Sequence, residues 1–400
     1  MKRIVEWEGL PGAMLLGAAL IALAWANSPW SHIYDAFRQA QIGLRIGSFE
    51  AYASIPHLVD DLLMAVFFLQ VGLEIKYELT AGRLNTVRAA ATPAIAATGG
   101  MIVPIAIYAA IAGRGGAAHG WGIAMATDIA FALGVMRALG SRVPPAALAF
   151  LTALAIIDDL GAILVIGLFY GQTFAIGAMG VAAIAAAALI AINWAGVRRL
   201  WPYLTIGAVL WGAVFRSGVH PTIAGVVIGL CVPGRSRPAA AGVDDFLALE
   251  THPDRGGDSP LRHLEHLLNP WVNFAILPIF ALVNAGLSFG GLGFAAAAAP
   301  AAAGTALGLL LGKPIGVIGA TLLAVRTGVG ELPDGMAGRT LVGLGMLAGI
   351  GFTMSLFIAQ LAFGYQSAMV EEAKLAILTG SSLSAIGGAL VLSLGRRSQR

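Results

Sequence analysis

Two adjacent carboxylates, Asp158 and Asp159, stand inside the long apolar run 151–169. An acid at the centre of a membrane helix costs about 2.5–3.5 kcal/mol on insertion, so a chain that keeps two of them there uses them. Neighbours on a helix point about 100° apart, so each addresses a different partner helix or opposite sides of one cavity. Lys313, in Gly312-Lys313-Pro314, falls near the middle of another apolar run. The ends of that run lie roughly 18–24 Å away along a helix, too far for a lysine to snorkel to either interface. An amine buried there needs a carboxylate or must lose its proton. Asp128, preceded by Thr127, is a third central acid. Thr and Asp favour helix starts, so this run is expected to break there, with its freed backbone groups facing a cavity. Against these stand blander readings: a helix end for the pair, a structural counter-ion for Lys313, an exposed loop for Asp128.

Other titratable groups carry weaker signals. Glu74 and Glu78 are four apart, hence on one helix face, beside Lys76 near the end of an apolar segment. A pH-responsive pair and a solvated helix end explain them equally well. Asp60 and Asp61, at the other end of that segment, read as interfacial and solvated. His220, in Ser217-Gly218-Val219-His220-Pro221, sits at a helix start, where a hydrogen-bonded histidine competes with a sensor. The single Cys231 cannot form an intrachain disulfide and reads as a small apolar residue.

The elements that must hold these groups follow from composition. Of the 400 residues 58% are hydrophobic and 11% charged, and mean hydropathy is +0.83; a soluble domain carries about 25% charged residues. The chain reads as an all-α polytopic membrane protein, one domain over 1–400, with the lipid bilayer as its surroundings. Apolar windows of about 20 residues give about twelve spans. They run 9–30, 56–79, 89–112, 116–138, 144–170, 174–194, 200–214, 217–232, 268–290, 297–325, 338–364 and 373–395.

With the N-terminus placed in the cytoplasm, 18 of the 24 basic residues fall on that side, five fall outside, and Lys313 stays in the membrane. Both termini are then cytoplasmic, which an even number of crossings requires. The pI of about 9.2 reflects this orientation rather than nucleic-acid binding. Lys2 and Arg3 before an apolar run imitate a signal peptide, but Glu6 and Glu8 spoil its positive start. Alternation across 41–54, with Gly47-Ser48 at the turn, predicts a small extracytoplasmic β-hairpin. The stretch 233–260, rich in Arg, Asp, Gly and Pro, reads as a mobile cytoplasmic loop.

Five stretches together resemble the NhaA family of sodium/proton antiporters: Gly72-Leu73-Glu74-Ile75-Lys76, Ala126-Thr127-Asp128-Ile129-Ala130-Phe131, Ala155-Ile156-Ile157-Asp158-Asp159-Leu160-Gly161, Gly312-Lys313-Pro314 and Gly349-Ile350-Gly351-Phe352-Thr353-Met354-Ser355. The resemblance implies the inverted repeats and two broken, crossed helices of that transporter fold. It implies that Asp158 and Asp159 hold the transported sodium and the protons, with Lys313, Asp128 and Thr127 around them. Lys313 and Asp128 would compensate the dipole ends of the broken helices. Glu74, Glu78 and Glu265 would belong to a cytoplasmic pH-sensing funnel, and the hairpin 41–54 would join two protomers into a homodimer. An inner-membrane transporter for Na+ or Li+ and H+, needing no cofactor, is the expected product. Two departures fall in the sensing region: Tyr77 where an arginine is expected, and Asn269 where a second histidine would follow His266.

Sodium is a hard cation that takes oxygen ligands, and carboxylates supply them when ionised. Protons and sodium therefore compete for one coupled carboxylate pair, and competition in a site open to one side at a time gives exchange. Three rivals remain. A sodium-coupled symporter would carry similar central carboxylates. An ion channel would pass currents far above carrier turnover. An intramembrane aspartyl protease needs carboxylates that converge from different segments, which neighbours on one helix do not do, and no Gly-x-Gly-Asp occurs.

Overall fold

The structure is a computed structural model that describes residues 9–46, 49–82, 84–171, 174–234, 259–291, 294–332, 336, 338–365 and 367–394. The expected loop 233–260 lies almost wholly outside them. The chain begins with α1 (Leu10–Ala26) and a short amphipathic helix α2 (Ser31–Gln39), bent away by 112°. Strands β1 (Gln41–Ile46) and β2 (Phe49–Ser54) pair antiparallel, Gln41 opposite Ser54 and Ile46 opposite Phe49, as the alternation predicts. The rest is helical: α3 (Met64–Thr80), α4 (Val87–Ala112), a 3₁₀ stretch Gly115–Met125, α5 (Ile129–Leu139), α6 (Pro145–Phe169), α7 (Ile176–Trp194), α8 (Leu200–Ser217) and α9 (Thr222–Cys231). After residue 258 come α10 (Pro260–Trp271), α11 (Leu277–Asn284), α12 (Pro300–Leu307), α13 (Lys313–Arg326), α14 (Gly338–Ala348), α15 (Phe352–Phe363) and α16 (Ala368–Ser393).

Among the described residues seven helices are long and apolar enough to cross a membrane, or nine when bent pairs count as single spans. Twelve is not reached by that measure. The difference is physical: α1 has 17 residues and α9 only 10, short of the roughly 20 that span a bilayer. The ninth segment also begins earlier than its apolar window suggested. The Ser259 side chain accepts from Arg262 N at 3.3 Å and Pro260 takes the first helical position, so the polar turn 260–267 is helical.

Two helix seams depend on glycine. A Cβ on Gly225 would lie 2.1 Å from Ala65 O and one on Gly229 2.6 Å from Leu69 O, so α9 rests directly on the α3 backbone. Gly99 of α4 and Gly316 of α13 face each other in the same way. Two π turns, Val272–Ile276 and Gly308–Gly312, precede Pro278 and Pro314. A proline has no N–H for the carbonyl four residues back, and the wider i→i+5 pattern absorbs that loss. The second of these turns carries Lys313 on its end. The apolar stretch of the α14–α15 span is almost entirely buried and α6 is buried over much of its length, whereas α7 is largely exposed, so the broken span and the helix bearing Asp158 and Asp159 form the centre and α7 the rim.

Candidate functional site

Two chain breaks meet at the centre of the bundle. Ala126 and Asp128 are extended, and the 3₁₀ stretch before them meets α5 at 43°. Residues 349–351 separate α14 from α15. Asp128 N donates to Ile350 O at 2.6 Å, joining one break to the other. Gly351 permits the approach, since a Cβ there would stand 3.0 Å from Ala126 O and 2.2 Å from Ser355 Oγ. Ser355 Oγ donates to Ile123 O at 2.7 Å, and Gly351 N donates to Ser381 Oγ at 3.2 Å. The freed backbone groups are thus taken up by neighbouring segments, as burial requires.

Asp128 caps two helices at once. Its Oδ1 accepts from Phe131 N at 2.9 Å, at the start of α5. Its Oδ2 accepts from Thr353 N at 3.0 Å and Thr353 Oγ1 at 2.6 Å, at the start of α15. A carboxylate at two N-termini complements both positive dipole ends. The opposite polarity is met next door. Thr127 Oγ1 donates to Ala348 O at 2.8 Å, at the C-terminus of α14, and accepts from Lys313 Nζ at 2.9 Å. The ammonium therefore sits at the negative end of that helix.

Lys313 Nζ also donates to Asp158 Oδ2 at 2.5 Å, and both side chains are fully buried. Asp158 Oδ1 and both oxygens of Asp159 are buried with no hydrogen-bond donor among the described residues. The structure therefore brings together Asp158, Asp159, Lys313, Thr127 and Asp128. What it offers chemically is three carboxylate oxygens free of donors beside an ammonium held by a carboxylate and a hydroxyl. Such a set is suited to a hard monovalent cation or to protons.

The residues expected to sense pH fall in two places. Glu74 lies within electrostatic range of Glu78 and Glu265, joining α3 to α10. Glu265 pairs with Arg262 at 3.1 Å, and the Arg262 guanidinium lies 4.0 Å over the Tyr77 ring. Tyr77 is thus a platform for a cation supplied by α10. Asn269 accepts from Gln70 at 3.3 Å. His220 is elsewhere, at the hairpin end, 3.5 Å from Asp61 and bonded to Thr222 Oγ1 at 2.9 Å. Asp61 and Glu78 are 17 residues apart on one helical path, about 25 Å at 1.5 Å per residue.

One expectation is overturned. Asp60 is not solvated at an interface but fully buried, because the π turn Val59–Leu63 turns it into the bundle, where Asn284 and Tyr365 bond it. Sequence reading also passed over Ser355, Ser381 and Arg262. Single hydroxyls in apolar helices are too common to stand out, and Arg262 falls between the loop read over 233–260 and the span read from 268.

Comparison with known proteins places the chain in a family. The model of the family described as Na+/H+ antiporter 1 matches residues 2–392. A Na(+)/H(+) antiporter NhaA of Rhodospirillum rubrum is 49% identical over 391 residues, 96% of this chain and 95% of the relative. Na(+)/H(+) antiporter NhaA 1 of Klebsiella pneumoniae is 46% identical, covering 98% and 95%. That of Shewanella loihica is 43% identical, covering 98% and 96%.

Proposed function

Because the chain belongs to the Na+/H+ antiporter 1 family, we propose that it exchanges sodium or lithium for protons by alternating access at Asp158 and Asp159. The observation that carries this reading is the asymmetry of the pair: Asp158 holds Lys313, while Asp159 is buried with both oxygens free of donors. Sodium entering beside Asp159 takes its oxygens and Asp158 Oδ1, releases any proton held there and loosens the ammonium. Lys313 then withdraws on Thr127 Oγ1, which keeps it from leaving the site. When protons return, the ammonium recloses on Asp158 and sodium leaves. Exchange follows from competition for one set of oxygens and needs no other coupling device.

The two breaks support the alternation. They are bonded to each other through Asp128 and Ile350, so a tilt of one broken span carries the other. Membership of an antiporter family makes the chain a transporter rather than an enzyme. Other parts of the reading are that the chain lies in the bacterial inner membrane with both termini cytoplasmic, that Glu74, Glu78 and Glu265 set its pH response, and that the hairpin 41–54 joins two copies. The test is sodium-induced dequenching of a pH dye in everted vesicles, without any organic substrate. Dequenching is expected for the unaltered chain and its loss for Asp158→Asn and Asp159→Asn. If both variants exchange as well as their parent, the central claim fails; a solute requirement would favour a symporter.

A further inference from the structure

A buried carboxylate apart from Asp128, Asp158 and Asp159 lies at the hairpin end of the molecule and takes no part in the exchange just described. Asp60 is fully buried, and among the described residues no cationic group comes within 4 Å of it. The buried ammonium of Lys374, on α16, is already paired with Glu371 at 2.8 Å. The partners of Asp60 are both neutral: Asn284 Nδ2 donates to Oδ1 at 2.9 Å and Tyr365 Oη to Oδ2 at 2.8 Å. They come from α11 and from the turn after α15, so three separate elements converge. A carboxylate so placed needs a positive charge, as a proton or a bound cation.

A second observation points to a cation. Asn284 is itself fully buried, and its Oδ1 has no hydrogen-bond partner. That oxygen belongs to the same amide whose Nδ2 holds Asp60 Oδ1, so an acceptor lacking a donor stands beside the carboxylate, and a cation shared with Asp60 would satisfy it. Asp60, Asn284 Oδ1 and Tyr365 Oη would then present oxygens from three directions, the ligand type a hard cation takes. The π turn Val59–Leu63 widens the backbone at this point, a feature frequent at functional sites, and Trp211 Nε1 donates to Asp61 O at 2.9 Å within it. Asp60 is the one carboxylate among the three ligands, and a monovalent ion matches its charge. Asp61, the next residue, is 19% exposed, so solvent comes within one residue of the site.

We propose that Asp60, Asn284 and Tyr365 form a second binding site for a small monovalent cation, sodium or lithium, separate from Asp158 and Asp159. The measurement is the number of 22Na+ ions bound at saturation by the purified full-length chain, read by scintillation proximity. Two ions are expected for the unaltered protein, one for Asp60→Asn, one for Asp158→Asn/Asp159→Asn, and none when all three changes are combined. Should Asp60→Asn fail to fold, Tyr365→Phe in the Asp158→Asn/Asp159→Asn background tests the same site by removing one oxygen, and several-fold weaker binding is expected. The proposal is overturned by a single ion that Asp60→Asn leaves in place, by unchanged affinity in the Tyr365→Phe variant, or by a sodium-insensitive protonated-acid infrared band that Asp60→Asn removes. A count that falls with Asp60→Asn but not with Asp158→Asn/Asp159→Asn would instead overturn the exchange reading and leave this one standing.

Discussion

Lys313 donates to Asp158 and not to Asp159, although the two acids are neighbours on one helix. The pair is fully buried, so removing one partner leaves an uncompensated charge, at a cost of about 3–5 kcal/mol, whereas removing both charges together is often near neutral. Lys313→Met is therefore expected to lower the thermal stability of the purified protein sharply. Asp158→Asn on that background should recover most of the loss, and Asp159→Asn should recover little. Melting curves of the parent, the three single variants and the two double variants form two double-mutant cycles. Equal rescue by either asparagine would show that the ammonium is shared between them.

Asp128 predicts a graded series, because one carboxylate serves the starts of both α5 and α15. Losing a helix cap costs about 0.5–2 kcal/mol, so Asp128→Ala, which loses two, should cost about 1–4 kcal/mol. Asp128→Asn keeps one acceptor oxygen and should fall between. Thr353→Val removes only the hydroxyl bond to the carboxylate, worth about 1.5–3 kcal/mol. Thermal unfolding in detergent gives the order, and exchange in vesicles should follow it. A larger loss for Thr353→Val than for Asp128→Ala would mean that the shared cap is not what holds the breaks together.

These two relationships mark where sequence reading stopped. The helical spans were legible because an apolar run of about 20 residues has few other uses. The hairpin was legible from its alternation, one break from Thr127-Asp128, and the other only through the family resemblance that 349–355 helps to carry. The 100° between Asp158 and Asp159 says that they diverge but not what each meets, and Lys313 lies 155 residues from Asp158. Asp128 and Thr353 are 225 residues apart. Asp60 was misread for a related reason: near the end of an apolar window, burial depends on a π turn and on two distant polar partners, none of which has a local signature.

The Gly99–Gly316 contact sets where Lys313 stands. A Cβ on Gly316 would lie 2.1 Å from Gly99 O, and Lys313 is three residues away on the same face of α13. Gly316→Ala therefore has to push α13 off α4, and overpacking of this kind costs about 1–3 kcal/mol. The expected result is a lower melting temperature together with a higher KM for sodium, because the ammonium moves with its helix. Gly319→Ala, one turn further on with nothing within 4 Å of its Cβ, is the control and should leave both quantities unchanged or raise stability. Equal effects at the two positions would refer the loss to helix propensity and not to the seam.

Tyr77 supports a cation that the sequence alone seemed to lack. Arg262 lies over its ring at 4.0 Å while pairing with Glu265, and Glu265 is within electrostatic range of Glu74. A cation over a ring that is only partly buried is worth about 0.5–1 kcal/mol, and leucine keeps the apolar packing, so Tyr77→Leu should change stability little. It frees the guanidinium from its platform, however, and the pH dependence of exchange should move even though the melting temperature does not. Tyr77→Arg tests the sign. A second cation beside these glutamates favours their ionised forms, so an activation curve that they govern shifts to lower pH. Profiles of dye dequenching against pH at fixed sodium check both variants. Curves that superimpose on the parent's, with unchanged sodium KM, would remove Glu74, Glu78 and Glu265 from the pH response and leave the Arg262–Tyr77 contact as packing between α10 and α3.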